Sequence, residues 1–137
     1  MFDKLFGRFS KALGIDLGTA NTLVYVRGQG ICINEPTIVA VNTRTDELVA
    51  VGRSAKDMLG KTPPHIVTTR PLIKGIISDF EVTEKMLKYF IEKVQGEGLS
   101  WYPRPRVVIG IPLDLTEVER KAVEDAVMGA GARNVQI

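Results

Sequence analysis

Asp16, Gly18, Thr19 and Asn21 stand together in the stretch GIDLGTANTLVYV, residues 14–26, and their types and spacing suit the binding of an anion. Asp16 is the one charged residue of an apolar run and falls where a strand gives way to a turn. Buried there, a carboxylate is costly unless it is paired or set near a cation, which makes Asp16 a candidate for the shell of a magnesium ion. Gly18 permits close approach to the backbone, so the amides of residues 18–21, with the side chains of Thr19 and Asn21, can converge on phosphate oxygens. Neither G-x-x-x-x-G-K-[ST] nor G-x-G-x-x-G occurs, and no helix follows at once, which excludes the P-loop and the Rossmann fingerprint. A bare D-x-G-T-x-N is equally a tight turn capped by its aspartate. Pattern alone leaves both readings standing.

A second carboxylate of interest is Glu119 in TEVERKAV, residues 116–123. Thr116-x-x-Glu119 has the spacing of a capping box, in which the glutamate folds back onto the backbone of the threonine. A helix N-terminus that follows a central strand also points towards the ligand crevice of an α/β sheet, so the same residue can face a bound phosphate. Pattern favours the cap.

The remaining reactive side chains point elsewhere. Cys32 is the only cysteine and lies in an apolar alternating stretch, so there is no disulfide framework and a reducing compartment is the default. His65 is the only histidine and follows Pro63 and Pro64 with no second ligand in spacing, which reads as a loop residue and not a zinc site. The 18 basic and 16 acidic residues are spread along the chain, for a formal charge of +2, and no basic run indicates nucleic acid.

The elements that must position these residues follow from hydrophobic periodicity. With 45% hydrophobic and 25% charged residues, 137 residues make a globular chain that can bury roughly two thirds of its unfolded surface. Residues 12–17, 22–27 and 31–34 read as strands, and 37–42 with 47–51 as a further hairpin around NTRTDE. Ser54 is placed to cap a short helix, AKDML, which Gly60 and then KTPP end. A connector rich in β-branched residues leads to a core helix over 83–95, with Met86, Leu87, Phe90, Ile91 and Val94 on one face. RVVIGIP, 106–112, has no polar face and suits a central strand covered on both sides. A helix over 117–130 turns Val118, Ala122, Val123, Ala126, Val127 and Ala130 inward, and NVQI begins another strand. The order predicts an α/β chain: a mixed sheet with helices on both faces, and residues 35–75 as a small inserted subdomain.

Two apolar segments stand outside that scheme. In MFDKLFGRFSKAL, Phe2, Leu5, Phe6, Phe9 and Leu13 recur at helical spacing with cations between them, an amphipathic basic pattern too short to span a bilayer. Residues 1–11 thus form a helix lying in a membrane surface, or an arm that docks on a partner or frays. The loop GLSWYPRP offers Leu99, Trp101 and Tyr102 between Gly98 and Pro103. These residues either meet a membrane interface or tuck against the domain.

GIDLGTANTLVYV resembles the first phosphate loop of the actin and heat-shock chaperone ATPase superfamily, which also holds sugar kinases. More narrowly, IDLGTANTLVY, NEPTIVAV, VGRSAKDMLGKTP, RPLIKGIISDF, VVIGIP and TEVERKAV are similar, in that order, to the MreB family of bacterial actin-like rod-shape proteins. The resemblance covers residues 12–137 and implies an actin-like, ribonuclease H-like ATPase domain, with residues 12–34 and 76–137 as an incomplete first core subdomain. It implies ATP and Mg2+ as cofactors, Asp16 holding magnesium through water, Gly18, Thr19, Ala20 and Asn21 cradling the β- and γ-phosphates, and Glu119 orienting the hydrolytic water. Leu113 and Asp114 depart from the family's usual short residues on the path into Glu119. The resemblance further implies self-association into filaments and a cytoplasmic location at the inner face of the cell membrane. Binding there would run through Phe2, Leu5, Phe6, Phe9, Leu99, Trp101 and Tyr102, beside membrane-bound cell-shape and cell-wall synthesis proteins. The family's second phosphate loop, adenine pocket and second domain are not found in these residues, so the chain alone is expected to hold half a cleft and to turn over little or no ATP. A small-molecule kinase or chaperone ATPase of the same superfamily is the alternative.

Overall fold

The computed structural model describes residues 11–96 and 103–137. The apolar segments around Phe2, Leu5, Phe6 and Phe9, and around Leu99, Trp101 and Tyr102, lie outside the described residues.

Alternation of apolar residues builds the main sheet. In β1 (Ala12–Leu17), Leu13, Ile15 and Leu17 are buried while Asp16 between them is exposed. β1 runs antiparallel to β2 (Asn21–Val26), which pairs in turn with β3 (Gly30–Pro36). On its other edge β1 lies parallel to β9 (Arg106–Gly110), and β9 parallel to β10 (Asn134–Gln136), for the order β10-β9-β1-β2-β3. Register puts Val26 and Val107 opposite Leu13, and Val24 and Ile109 opposite Ile15, so one face of the sheet is continuous and apolar.

Two helices cover that face. α2 (Phe80–Gln95) starts at Asp79, whose carboxylate accepts the Val82 amide at 3.1 Å, and ends at Gly96, whose φ of 93° few other residues adopt. It begins before the expected residue 83 because Asp79 supplies the cap. Met86, Leu87, Phe90 and Ile91 fill the core as expected, with Val94 half-buried at its edge. α3 (Glu117–Gly129) adds Val123, Ala126 and Val127 and lies against α2 so closely that a side chain at Gly129 would meet the Glu84 carboxylate.

Between β3 and α2 the chain forms a second, three-stranded sheet in the order β5-β4-β6, from β4 (Val39–Asn42), β5 (Glu47–Val51) and β6 (Ile66–Thr69). Val39, Val41 and Val51 join the main core, whereas Ile38 and Ala40 pack on the other side with Ala55 of the short helix α1 (Arg53–Asp57). A two-stranded hairpin, β7 (Leu72–Ile73) and β8 (Ile76–Ile77), leads into α2.

Several expectations need correction. The connector after KTPP, where no strand is expected, holds β6, β7 and β8, because its β-branched residues pair with β4 and with each other. Ser54 does not cap α1; the N-cap is Gly52, φ 70°, and the Glu35 carboxylate from β3 accepts the Arg53 amide at 2.8 Å instead. Val118 is 80% exposed, since α3 turns it away from α2. β9 is central, but only Val107 and Ile109 are covered, and Val108 is 55% exposed. The α/β architecture is as expected, yet among the described residues both long helices lie on one face of the sheet. Gly14, Asp16, Leu23, Tyr25 and Val108 share the other.

Candidate functional site

The turn between β1 and β2 is held in shape from within and from below. The Gly18 amide donates to the Asn21 carbonyl at 3.1 Å, and a Cβ on Gly18 would stand 2.6 Å from that oxygen, so only glycine closes the turn without displacement. Beneath it Thr37 is fully buried: its hydroxyl donates to the Gly18 carbonyl at 2.6 Å and lies 2.9 Å from the Thr22 hydroxyl, while its amide donates to the Ala20 carbonyl at 2.9 Å. The hydroxyl pair lets two polar side chains sit inside without an unsatisfied atom.

These bonds divide the turn's donors. The Gly18 amide, expected to face a ligand, is consumed by the turn. The amides of Thr19 and Ala20 donate to no acceptor among the described residues and stay available to an anion. The Thr19 hydroxyl accepts the Gly75 amide at 2.7 Å, which leaves its own proton to donate outward. Asn21 is exposed at the turn's far end, where β2 begins.

Three loops converge here. Asp16, Gly18 and Thr19 from the first turn, Lys74 and Gly75 from the β7–β8 turn, and Pro112 from the loop after β9 line a crevice of about 490 Å³. Gly75 packs so tightly on the third loop that a Cβ there would lie 2.5 Å from Cγ of Pro112. Asp16 sits opposite Gly110 in register, and even a Cβ at that glycine would stand 3.8 Å from the carboxylate, an ordinary contact. It is exposed and not buried, a correction that follows from the open face to which it points. A single exposed carboxylate beside free amides suits magnesium, which keeps several waters and needs only one or two carboxylates when phosphates supply the rest. Among the described residues no cluster of three or more histidine, cysteine, aspartate or glutamate side chains forms a separate metal site.

Glu119 is placed differently. Its carboxylate accepts the Thr116 amide at 2.8 Å while its own amide donates to the Thr116 hydroxyl at 3.2 Å, the full capping box, and its side chain does not line the crevice. Leu113, on the path between them, is 99% exposed. Lys74, Gly75, Thr37 and Pro112 are the site residues that sequence reasoning missed. Between Ile73 and Ile76 only Gly75 signals a turn, since lysine is not among the residues that favour the first position of a two-residue hairpin loop. Thr37 and Pro112 carry no local signal, since each matters only through a residue distant in sequence.

A mixed sheet whose first hairpin carries a phosphate-suited turn, with a small sheet inserted before the first long helix, defines the actin-like class of nucleotide-binding folds. The comparisons narrow it: the MreB/Mbl protein family matches residues 10–137, and the chain belongs to that family. It is 49% identical over 141 aligned residues to the cell shape-determining protein MreB of Pasteurella multocida, covering 100% of this chain and 40% of that protein. Crystal structures of MreB5 of Spiroplasma citri, bound to ADP and to AMPPNP, superpose with TM-scores of 0.81 and 0.80 at 37% and 38% identity, covering 93% of this chain and 37% and 38% of theirs. The MamK double helical filament shares the fold at a TM-score of 0.75 and 18% identity, over 93% of this chain and 40% of that one. The chain spans about 40% of the length of the curated relatives it matches.

Proposed function

We propose that this chain supplies one side of the nucleotide cleft of an ATP-binding, actin-like cytoskeletal protein whose filaments lie at the inner face of the cell membrane and direct cell shape and cell-wall synthesis. The observation that carries the nucleotide reading is the convergence of three loops on one crevice, with the Thr19 and Ala20 amides and the Thr19 proton left free to meet phosphate oxygens. The S. citri relative binds ADP and AMPPNP, which supports the same ligand class here.

In this reading Thr19 and Ala20 cradle the phosphates, Gly18 shapes the turn, and Asn21 flanks it. Asp16 holds a water of the Mg2+ shell, and the metal neutralises phosphate charge when bound. Glu119 orients the attacking water after its carboxylate leaves the Thr116 amide, so that catalysis and cap compete for one side chain. Self-association, membrane contact through the two apolar segments, and membrane-bound cell-shape and wall-synthesis partners complete the proposal.

The test is calorimetric titration of Mg-ATP into the full-length protein and its Asp16→Asn and Thr19→Ala variants. Wild-type binding with at least a tenfold loss in each variant is expected, since each removes a charged or charge-assisted contact. Equal binding by all three proteins would sink the assignment.

A further inference from the structure

Lys74 occupies a position that its side-chain type disfavours. The β7–β8 turn has two central residues, Lys74 with φ 52° and Gly75 with φ 77°, between the paired Ile73 and Ile76. Two positive φ values mark the type I′ hairpin turn, whose first position strongly prefers asparagine, aspartate or glycine. A long β-methylene residue held there is backbone strain at a crevice, and strain of this kind persists where the surroundings over-determine it. The surroundings do so here: the Gly75 amide is tied to the Thr19 hydroxyl at 2.7 Å, and Pro112 leaves no room for a side chain at that glycine. Lys74 therefore stands in a fixed place in the wall of the crevice, next to the glycine that meets the phosphate turn and sharing that wall with Pro112 of the loop that leads to Glu119. Its ammonium makes no hydrogen bond or ion pair among the described residues.

Resting on the nucleotide reading of the crevice, we infer that Lys74 is a phosphate-binding residue that recognises the terminal phosphate of a nucleoside triphosphate. Asp16 lines the same crevice, so a metal-bound triphosphate meets an anion that holds its cation and a cation that meets its excess charge. A diphosphate lacks the group nearest the Glu119 loop and gains less from the lysine. Because Gly75 hangs from Thr19, the contact also couples the phosphate turn to the start of α2, three residues beyond β8.

The experiment compares Mg-ATP and Mg-ADP affinities of the full-length protein with those of Lys74→Asn and Lys74→Arg, alongside melting temperatures without nucleotide. Asparagine suits the turn, so Lys74→Asn is expected to melt at or above the wild-type temperature while its preference for ATP over ADP falls about tenfold. Lys74→Arg should keep the preference. An unchanged ratio of the two affinities in Lys74→Asn, in a protein whose wild type binds both nucleotides, overturns the role of Lys74 alone. A wild type that binds neither overturns the cleft reading and this inference together.

Discussion

At the residue scale the β1–β2 turn illustrates how a glycine and a buried threonine fix the shape of a candidate site from behind it. Gly18→Ala places a methyl against the Asn21 carbonyl and is expected to cost about 1–3 kcal/mol, read as a lower melting temperature, because the backbone must open to admit it. Thr37→Val removes the donor to the Gly18 carbonyl and strands the Thr22 hydroxyl inside; a loss of about 1–3 kcal/mol in a denaturant titration is expected. Glu119 offers a cleaner separation of roles. Gln at this position keeps the capping box, so Glu119→Gln should stay within about 0.5 kcal/mol of wild-type stability while ATP turnover by the full-length protein falls at least tenfold. Glu119→Ala should lose turnover and a further 0.5–1.5 kcal/mol or so, the worth of the lost bond. Full turnover in Glu119→Gln would leave the residue with the cap alone.

At the scale of elements, α2 is the keystone. It is capped by Asp79, tied to the β4–β5 turn by Lys85, whose ammonium donates to the Asp46 carbonyl at 2.6 Å, and anchored by Phe90, which is fully buried. The exposed Lys85–Asp46 ion pair adds little by itself, since surface pairs are screened and ordered at a cost in entropy. Phe90 carries the weight. Phe90→Ala should destabilise the protein by about 3–5 kcal/mol in chemical unfolding, as a large void opens between α2 and the sheet. The stripe of Met86, Leu87, Phe90 and Ile91 was legible because each residue repeats at the helical period whatever lies opposite. Val118 was misread for the same reason. It fits the period, but only the crossing of α3 over α2 decides which part of the stripe is covered.

For the whole molecule, the open sheet face and the apolar segments outside the described residues bear on assembly. Tyr25, Ile31 and Val108 are exposed on the face opposite the helices, beside Asp16. No helix among the described residues is long and apolar enough to cross a membrane. Changing Phe2, Phe6, Phe9 and Trp101 together to serine should abolish sedimentation with anionic liposomes, while wild-type sedimentation weakens as salt rises. Sedimentation of the quadruple variant at the wild-type level would refute the membrane assignment.

By itself the sequence determined what depends on near neighbours: the strand, turn and strand of residues 12–26, the apolar stripe of α2, and the Thr116–Glu119 capping box. Each is a relation between residues a few positions apart, governed by the period of the element and the reach of a short side chain. Only the tertiary structure decided that Glu35 and not Ser54 meets the first amide of α1, that one face of the sheet stays open among the described residues, and that the Gly75 amide beside Lys74 meets the Thr19 hydroxyl. Those relations join residues separated by 18 to 56 positions, and no local pattern encodes them because they exist only once the loops are brought together by a shared core.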